Sequence, residues 1–382
     1  MISRKLTYIL LPVFFLISAG ASFMYFKGNV IAPVKNTITI NDKGEVVDTG
    51  PKTEECPLNG QLFSQSQKQR WEGRRPIGAA IENHLDARPQ SGLSTADVVY
   101  EAVAEGGITR FLAMFYCQEP SVIGPVRSAR IYFLKLLQGY GNHPLYAHVG
   151  GANTPGPADA LGEIRDLEWD GYNDMNQFAV PFPYYYRDYD RLPDRATEHT
   201  MYASPVKLWE YAAKNRKLTN KDEDGVTWDK GWESWKFQDD AKTADRGTTK
   251  VIDFGFWSKF DADTYAVKWT YDTASNSYVR TNGGKPHIDK NTNKVMTSKN
   301  IVIAFVKESP ANDGYEGGHL LYGVVGNGTG LLFQNGNEEK ITWKKPDEES
   351  MMRFFDSAGK EVEFVRGQIF VEILPTGNDV KY

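Results

Sequence analysis

The sequence predicts an α/β N-terminal domain with a mainly parallel sheet and flanking helices, a C-terminal mostly-β domain, and an N-terminal transmembrane helix. Three observations predict it. Between Arg75 and Gly151, apolar strand-like runs alternate with capped helical patterns. Beyond residue 247, runs such as VIDFGFW, YAVKWTYD and NIVIAFV are separated by Gly, Asn and Asp turns at the spacing of an all-β domain. Near the start, about twenty mostly apolar residues follow MISRK without a charge, the length that spans a bilayer as a helix. A chain of 382 residues exceeds one ordinary core. The net charge of −5, with no long basic run, argues against nucleic acid as a partner, because displacing counterions from phosphates needs a basic face.

Residues 1–6 read as a basic cytoplasmic tip and 7–26 as a transmembrane signal-anchor, with Arg4 and Lys5 held inside. The small residues Ala19-Gly20-Ala21 would suit a cleaved signal peptide, but the apolar run continues to Phe26, which favours a retained anchor. The folded body of this single-pass membrane protein is then outside the cytoplasm. Residues 27–55, polar with Gly and Pro, read as a flexible stalk. The chain has two cysteines, Cys56 and Cys117. In an oxidising compartment they can pair, closing a loop of about 60 residues worth about 2–4 kcal/mol. Two unpaired thiols are the alternative, and a catalytic cysteine is disfavoured because no His lies near either in sequence.

The α/β domain is expected over residues 56–216. A short helix within 61–74 buries Trp71, and Ile77 to Ile81 forms a buried strand. Ser94 begins a helix through the capping box S-T-A-D, and Gly106-Gly107 ends it. On that helix Asp97, Glu101 and Glu105 fall at i, i+4 and i+8, one acidic stripe. Ile108 to Cys117 is the second strand. A helix from Val126 to Gln138 follows Pro125, with Arg127 and Arg130 in its first turn, where the helix dipole disfavours cations. Something negative should meet them, either the acidic stripe or an anionic ligand. Pro144 to Val149 is the third strand, followed by the turn GGANTPGP and a helix from Pro157 to Ile164. That order implies right-handed crossovers in a mainly parallel sheet.

Residues 165–205 are aromatic and loop-rich, with the character of a lid that carries His199, and a helix follows to about Asn215. Residues 217–247 form a linker in which Trp228, Trp232 and Trp235 pack against a domain rather than stack on sugar rings. Residues 248–382 make the mostly-β domain, where His287, Asp289 and His319 read as solvated turn residues.

Each strand of the first domain ends in polar residues: Glu82, Asn83 and His84; then Arg127 and Arg130; then His148, Gly150 and Gly151. In an open α/β sheet, ligands bind at such ends. The expected ligand-binding set is Asn83, Arg88, Arg110, Arg127, Arg130, Gly150, Gly151 and His199. His84 or His148 could act as a general base, with Glu82 or Glu105 orienting it. Glu82, His84 and Asp86 alternate and, with His148 and His199, offer nitrogen and oxygen ligands. Their spacing matches no standard metal motif, so neither metal nor cofactor is expected. Ser91 and Ser128 sit in no nucleophile elbow, which disfavours covalent hydrolysis.

The stretches IENHLDARPQSGLSTADVVYEAVAEGGITRF, IGPVRSAR, HVGG and TEHTMY, and later YVRTNGGKPHID, NIVI and GLLFQNGN, resemble the motifs of the YerB-like family of bacterial cell-envelope lipoproteins. The resemblance covers roughly residues 56–375. It implies a two-part envelope protein from a family of domains of unknown function, and no role for any single residue. The chain lacks a lipid-attachment cysteine near its start, so a helix anchor is expected in its place. Three readings follow. One is a binding module for an anionic envelope ligand such as peptidoglycan or a wall polymer. Another is an envelope enzyme working by acid/base chemistry on a wall component. The third is a scaffold that docks an envelope protein partner.

Overall fold

The computed structural model describes residues 50–257 and 262–382, with Ser18 and the strands Ile38–Ile40 and Val46–Asp48. Two compact units are present: Met1–Lys52 with Ser64–Ser66, and Thr53–Phe63 with Gln67–Tyr382. In the first, Ile38–Ile40 pairs antiparallel with Val46–Asp48, so the stretch read as a flexible stalk contains a short hairpin. No helix among the described residues is long and apolar enough to cross a membrane. The segment 7–26, read as a transmembrane helix, lies outside the described residues except for Ser18.

A ten-stranded mixed sheet organises the second unit. Its strands in chain order are β1 (Ile77–Glu82), β2 (Val98–Glu105), β3 (Ile108–Phe115), β4 (Leu145–His148) and β5 (Asp174–Asn176). They continue as β6 (Asn300–Val306), β7 (Gly326–Gln334), β8 (Asn337–Lys345), β9 (Arg353–Phe355) and β10 (Ile369–Pro375). The spatial order is β9-β8-β7-β6-β10-β2-β3-β1-β4-β5. β10 runs parallel to both β6 and β2, and β4 runs parallel to β1 and β5; the other neighbours are antiparallel.

The expected α/β domain is therefore corrected to a β-dominated, mixed architecture. The decisive segment is Val98–Glu105, read as a helix and found as β2. Seven of its eight residues are buried, and a strand covered on both faces loses the polar–apolar alternation that marks its period. The short 3-10 turn Leu93–Thr95 absorbs the supposed capping box. With β2 a strand, β1, β2 and β3 form an antiparallel group, and no βαβ unit exists there.

Four helices matter to the site: α1 (Gln65–Trp71), α2 (Ile131–Gln138), α3 (Ala160–Asp166) and α4 (Pro205–Asn215). α1 and α4 fall where the pattern places them, and Trp71 is buried against Phe63, ring to ring at 5.3 Å. α2 starts five residues later than expected. Arg127 precedes it on extended chain and Arg130 is its N-cap, so neither arginine is in a first helical turn.

A second, six-stranded sheet includes Val251–Phe254, Val267–Asp272 and Ser277–Asn282. It packs on β10 through Trp269 and Phe370, whose ring centroids are 5.1 Å apart. On the opposite face of the main sheet, α2 is fastened by the Tyr132 hydroxyl, which donates to the Val103 carbonyl at 2.8 Å. Cys56 and Cys117 form a disulfide. The tryptophans of 217–247 are packed: Trp228 and Trp235 are buried, and Trp232 donates to the Gly139 carbonyl at 3.0 Å. Strands from both sides of that segment thus meet in one sheet.

Candidate functional site

β1 ends at Glu82, and the chain from Gly124 to Arg130 is threaded beside that end. Pro125 accepts from the Glu82 N–H at 2.9 Å, the Arg127 N–H donates to Ala80, and the Val149 N–H donates to Arg127. This excursion, rather than a row of parallel strand ends, brings the predicted residues together. Glu82 is buried and accepts from Arg127 Nε at 3.2 Å, and its other oxygen meets His199 Nδ1 at 3.0 Å. Because a carboxylate in this pairing only accepts, Nδ1 carries the proton. The His84 ring stacks on His199 at 4.7 Å with the planes 8° apart, and its Nδ1 accepts from the Asp86 N–H at 3.2 Å.

Glu105 belongs to a neighbouring cluster. A β-bulge between Val103 and Glu105 turns it away from the face that carries Glu101. The expected single acidic stripe is thereby split between the two faces of the sheet. Glu105 accepts from Arg130 Nε at 3.0 Å and pairs with Arg110 at 3.5 Å. Burial alone would raise its pKa, but Arg110 and Arg130 outweigh burial and bring it down to about 2. Arg127 and Arg130 thus each have a carboxylate partner from the protein itself.

His148 is fully buried, with one ring nitrogen 2.7 Å from the Gly150 carbonyl and the other 2.5 Å from Asp174. Both ring nitrogens are committed to acceptors, which leaves no lone pair pointing at a substrate. The Gly150 N–H is also spent, donating to Asn176 at 3.1 Å, and Gly151 bridges to Ala129. Among the predicted groups, His148, Gly150 and Gly151 form a locked turn, whereas Glu82, His84, Arg127 and His199 form a contiguous set.

A further polar assembly was not expected as such. Between the two sheets, fully buried Arg280 reaches Glu101 on β2 and, at 2.7 Å, Glu372 on β10. Its guanidinium lies over the rings of Phe370, Trp269 and Phe111, 4.7, 5.1 and 5.8 Å from their centroids. Burial pushes Glu372 up to about 8, with Glu101 adding to the rise and Arg280 opposing it. Glu101 accepts from Asn83 and Thr109 as well as Arg280, whereas Glu372 Oε2 is buried and, among the described residues, without a partner. Burial and this difference in donors both favour the protonated form at Glu372. His287 and Asp289, read as solvated, are buried, and so is His319. His287 accepts from Arg280 Nε at 3.0 Å and meets Gln90 at 2.8 Å; burial, then Arg280 and Arg88, hold its pKa well below the usual range.

Asn83 links this interior to the surface. Its Oδ1 accepts from Arg88, Gln90 and Asn282 at 2.8–3.0 Å. Beyond Arg88 and Asn282 opens a cavity of about 470 Å³. Among the described residues, Arg88, Arg195 and Lys285 line it and no carboxylate does. Burial lowers Arg88 to about 10, which leaves it charged at neutral pH. Arg88 is the member of the expected ligand-binding set that lines this space.

Comparison with known proteins ties this geometry to a family. Residues 63–219 match the model described as "Protein of unknown function (DUF3048) N-terminal domain", and residues 257–371 match its C-terminal domain. The chain is 32% identical over 343 residues to "Putative lipoprotein YerB" of Bacillus subtilis (strain 168), covering 88% of this chain and 91% of the relative. The chain belongs to the YerB-like DUF3048 family. The crystal structure of the Bacillus subtilis YerB protein superposes with a TM-score of 0.67 at 28% identity, covering 86% of this chain and all of that one. In this DUF3048 chain, each matched segment supplies five strands of the main sheet. Both segments also line the cavity, the first with Arg88 and Arg195 and the second with Asn282 and Lys285.

Proposed function

We propose that this protein is an extracytoplasmic protein held at the membrane that binds an anionic cell-envelope ligand, a peptidoglycan or wall-polymer fragment, in the cavity of Arg88, Arg195 and Lys285. The observation that carries the reading is that cavity's lining: among the described residues, three cationic side chains and no carboxylate. Arg127 and Arg130 add less than their number suggests, since Glu82 and Glu105 neutralise them. The disulfide fits an oxidising compartment, and the Bacillus subtilis relative is named "Putative lipoprotein YerB". An acid/base reading would rest on the His199–Glu82 pair rather than on His148.

Thermal unfolding of the full chain in detergent, against muropeptides, wall-polymer fragments, inorganic phosphate and nucleotides, tests the proposal. A ligand that binds only the folded state raises the midpoint by mass action. One anionic class should do so, and the rise should vanish in the double variant Arg195→Ala/Lys285→Ala. A flat response across the panel from a well-folded chain would overturn the binding reading.

A further inference from the structure

The turn that follows β1 carries a second feature beside the cavity. His84 and Asp86 sit two residues apart around the short 3-10 turn Leu85–Ala87, and His199 arrives from the 3-10 turn Thr197–His199. One ligand atom from each of the three lies within 4.8 Å of the others.

His199 is the fixed point of this group. Its ring is 6% exposed and held through Nδ1 by Glu82, which Arg127 holds in turn. That hydrogen bond places the proton on Nδ1 and leaves the Nε2 lone pair without a hydrogen-bond partner among the described residues. A carboxylate behind one imidazole nitrogen, with the other nitrogen bare, is the arrangement that orients metal-ligating histidines. His84 and Asp86 are the adjustable members, with side chains 32% and 49% exposed. A tetrahedral site with bonds of about 2.1 Å needs ligand atoms about 3.4 Å apart, so the cluster must close by up to about 1.4 Å. His84 is stacked on His199, with its Nδ1 accepting from the Asp86 N–H. It must turn out of the stack to aim a ring nitrogen at the ion, a movement open to a side chain 32% exposed. The competing partner of Asp86 is Arg195 at 3.6 Å, a surface contact that holds little energy.

We propose that His84, Asp86 and His199 bind one divalent transition ion of the zinc type. Two imidazole nitrogens and one carboxylate oxygen suit such an ion, and three protein ligands leave a fourth position for water. The inference does not depend on the anion reading, because the metal is tested with no other ligand present.

The experiment uses the untagged full chain in detergent, stripped with chelator, then titrated with Zn²⁺ by calorimetry and with Co²⁺ by visible absorption. One Zn²⁺ per chain is expected, together with an intense tetrahedral Co²⁺ band that Zn²⁺ displaces. Affinity should fall at least tenfold in His84→Ala and in Asp86→Asn, and stay unchanged in His319→Ala, which removes a different His–Asp pair. Neither His84 nor Asp86 is buried, so both variants should fold, and their unfolding midpoints check it. Absence of stoichiometric Zn²⁺ binding, or equal affinity in folded His84→Ala, overturns the proposal.

Discussion

Two carboxylate–guanidinium assemblies flank Asn83, and they use the same residue types to different ends. In the interior, Arg280 is fully buried between Glu101 and Glu372, with aromatic rings around its plane. At the rim, Arg127 is 30% exposed beside Glu82, with His199 and His84 next to them. The interior set is nearly complete: among the described residues its one bare oxygen is Glu372 Oε2. The rim set keeps one unspent valence among the described residues, His199 Nε2, beside the partly exposed and weakly held His84 and Asp86. Completeness, not charge, separates a structural cluster from one able to bind something else.

The sharpest way to break this contrast is Arg280→Met. It leaves two buried carboxyls without their cation and should destabilise the fold by about 3–5 kcal/mol, read by urea unfolding. A loss below about 1 kcal/mol would mean that the interior is not organised around Arg280. Glu101→Gln comes next, at about 2 kcal/mol, because an amide places N–H groups where Asn83, Thr109 and Arg280 already donate.

Glu105→Gln should cost about 1–2 kcal/mol at neutral pH, since its lowered pKa is a stabilising ionisation that a neutral amide lacks. The pH dependence gives the sign. With a folded pKa of about 2 against 4.5 unfolded, its contribution is present above pH 4.5 and disappears as pH falls toward 2. Glu372 runs the other way. With a folded pKa of about 8 against 4.5, the native state holds a proton that the unfolded chain releases, so stability declines as pH rises from 4.5 to 8. Glu372→Gln should cost less than about 1 kcal/mol at pH 6 and flatten that decline, which stability curves at several pH values would register. An undiminished slope would move the proton elsewhere. The smallest structural effect belongs to the rim: Lys285→Ala should change stability by no more than about 0.5 kcal/mol while reducing any ligand-induced rise in melting temperature.

Local chemistry was legible in the sequence wherever it depended on neighbours in the chain. The buried Trp71, α4, the strand over Ile77–Ile81 and the pairing of Cys56 with Cys117 all follow from local pattern or residue count. β2 was misread because VVYEAVAE satisfies a helical stripe and a buried strand equally, and only the bulge at Val103–Glu105 shows how the acids divide. The Arg280 cluster joins residues 92 and 179 positions apart, beyond the reach of any window along the chain. A signal was still present: Arg280 in SYVRTN and Glu372 in IFVEILP are lone charges inside strand-like runs, which are seldom buried without a partner. The rim was half visible. IENH and TEHTMY marked its residues, but the excursion through Gly124–Arg130 that gathers them has no sequence period. The cavity draws on Asn282 and Lys285, from a region read as an independent domain, so its cationic lining could not be assembled from either half alone.

The position of β10 has a consequence for how the molecule comes into being. The strand comes last of the ten in chain order, yet it lies between β6 and β2 in the middle of the sheet. As the chain is made or threaded from its amino end, the inner edges of β2 and β6 wait with unpaired backbone groups until β10 emerges. Such edges invite pairing with other chains. A product that stops before Ile369 would lack the strand that joins the two halves, along with Glu372. The main sheet therefore closes only once β10 has been made.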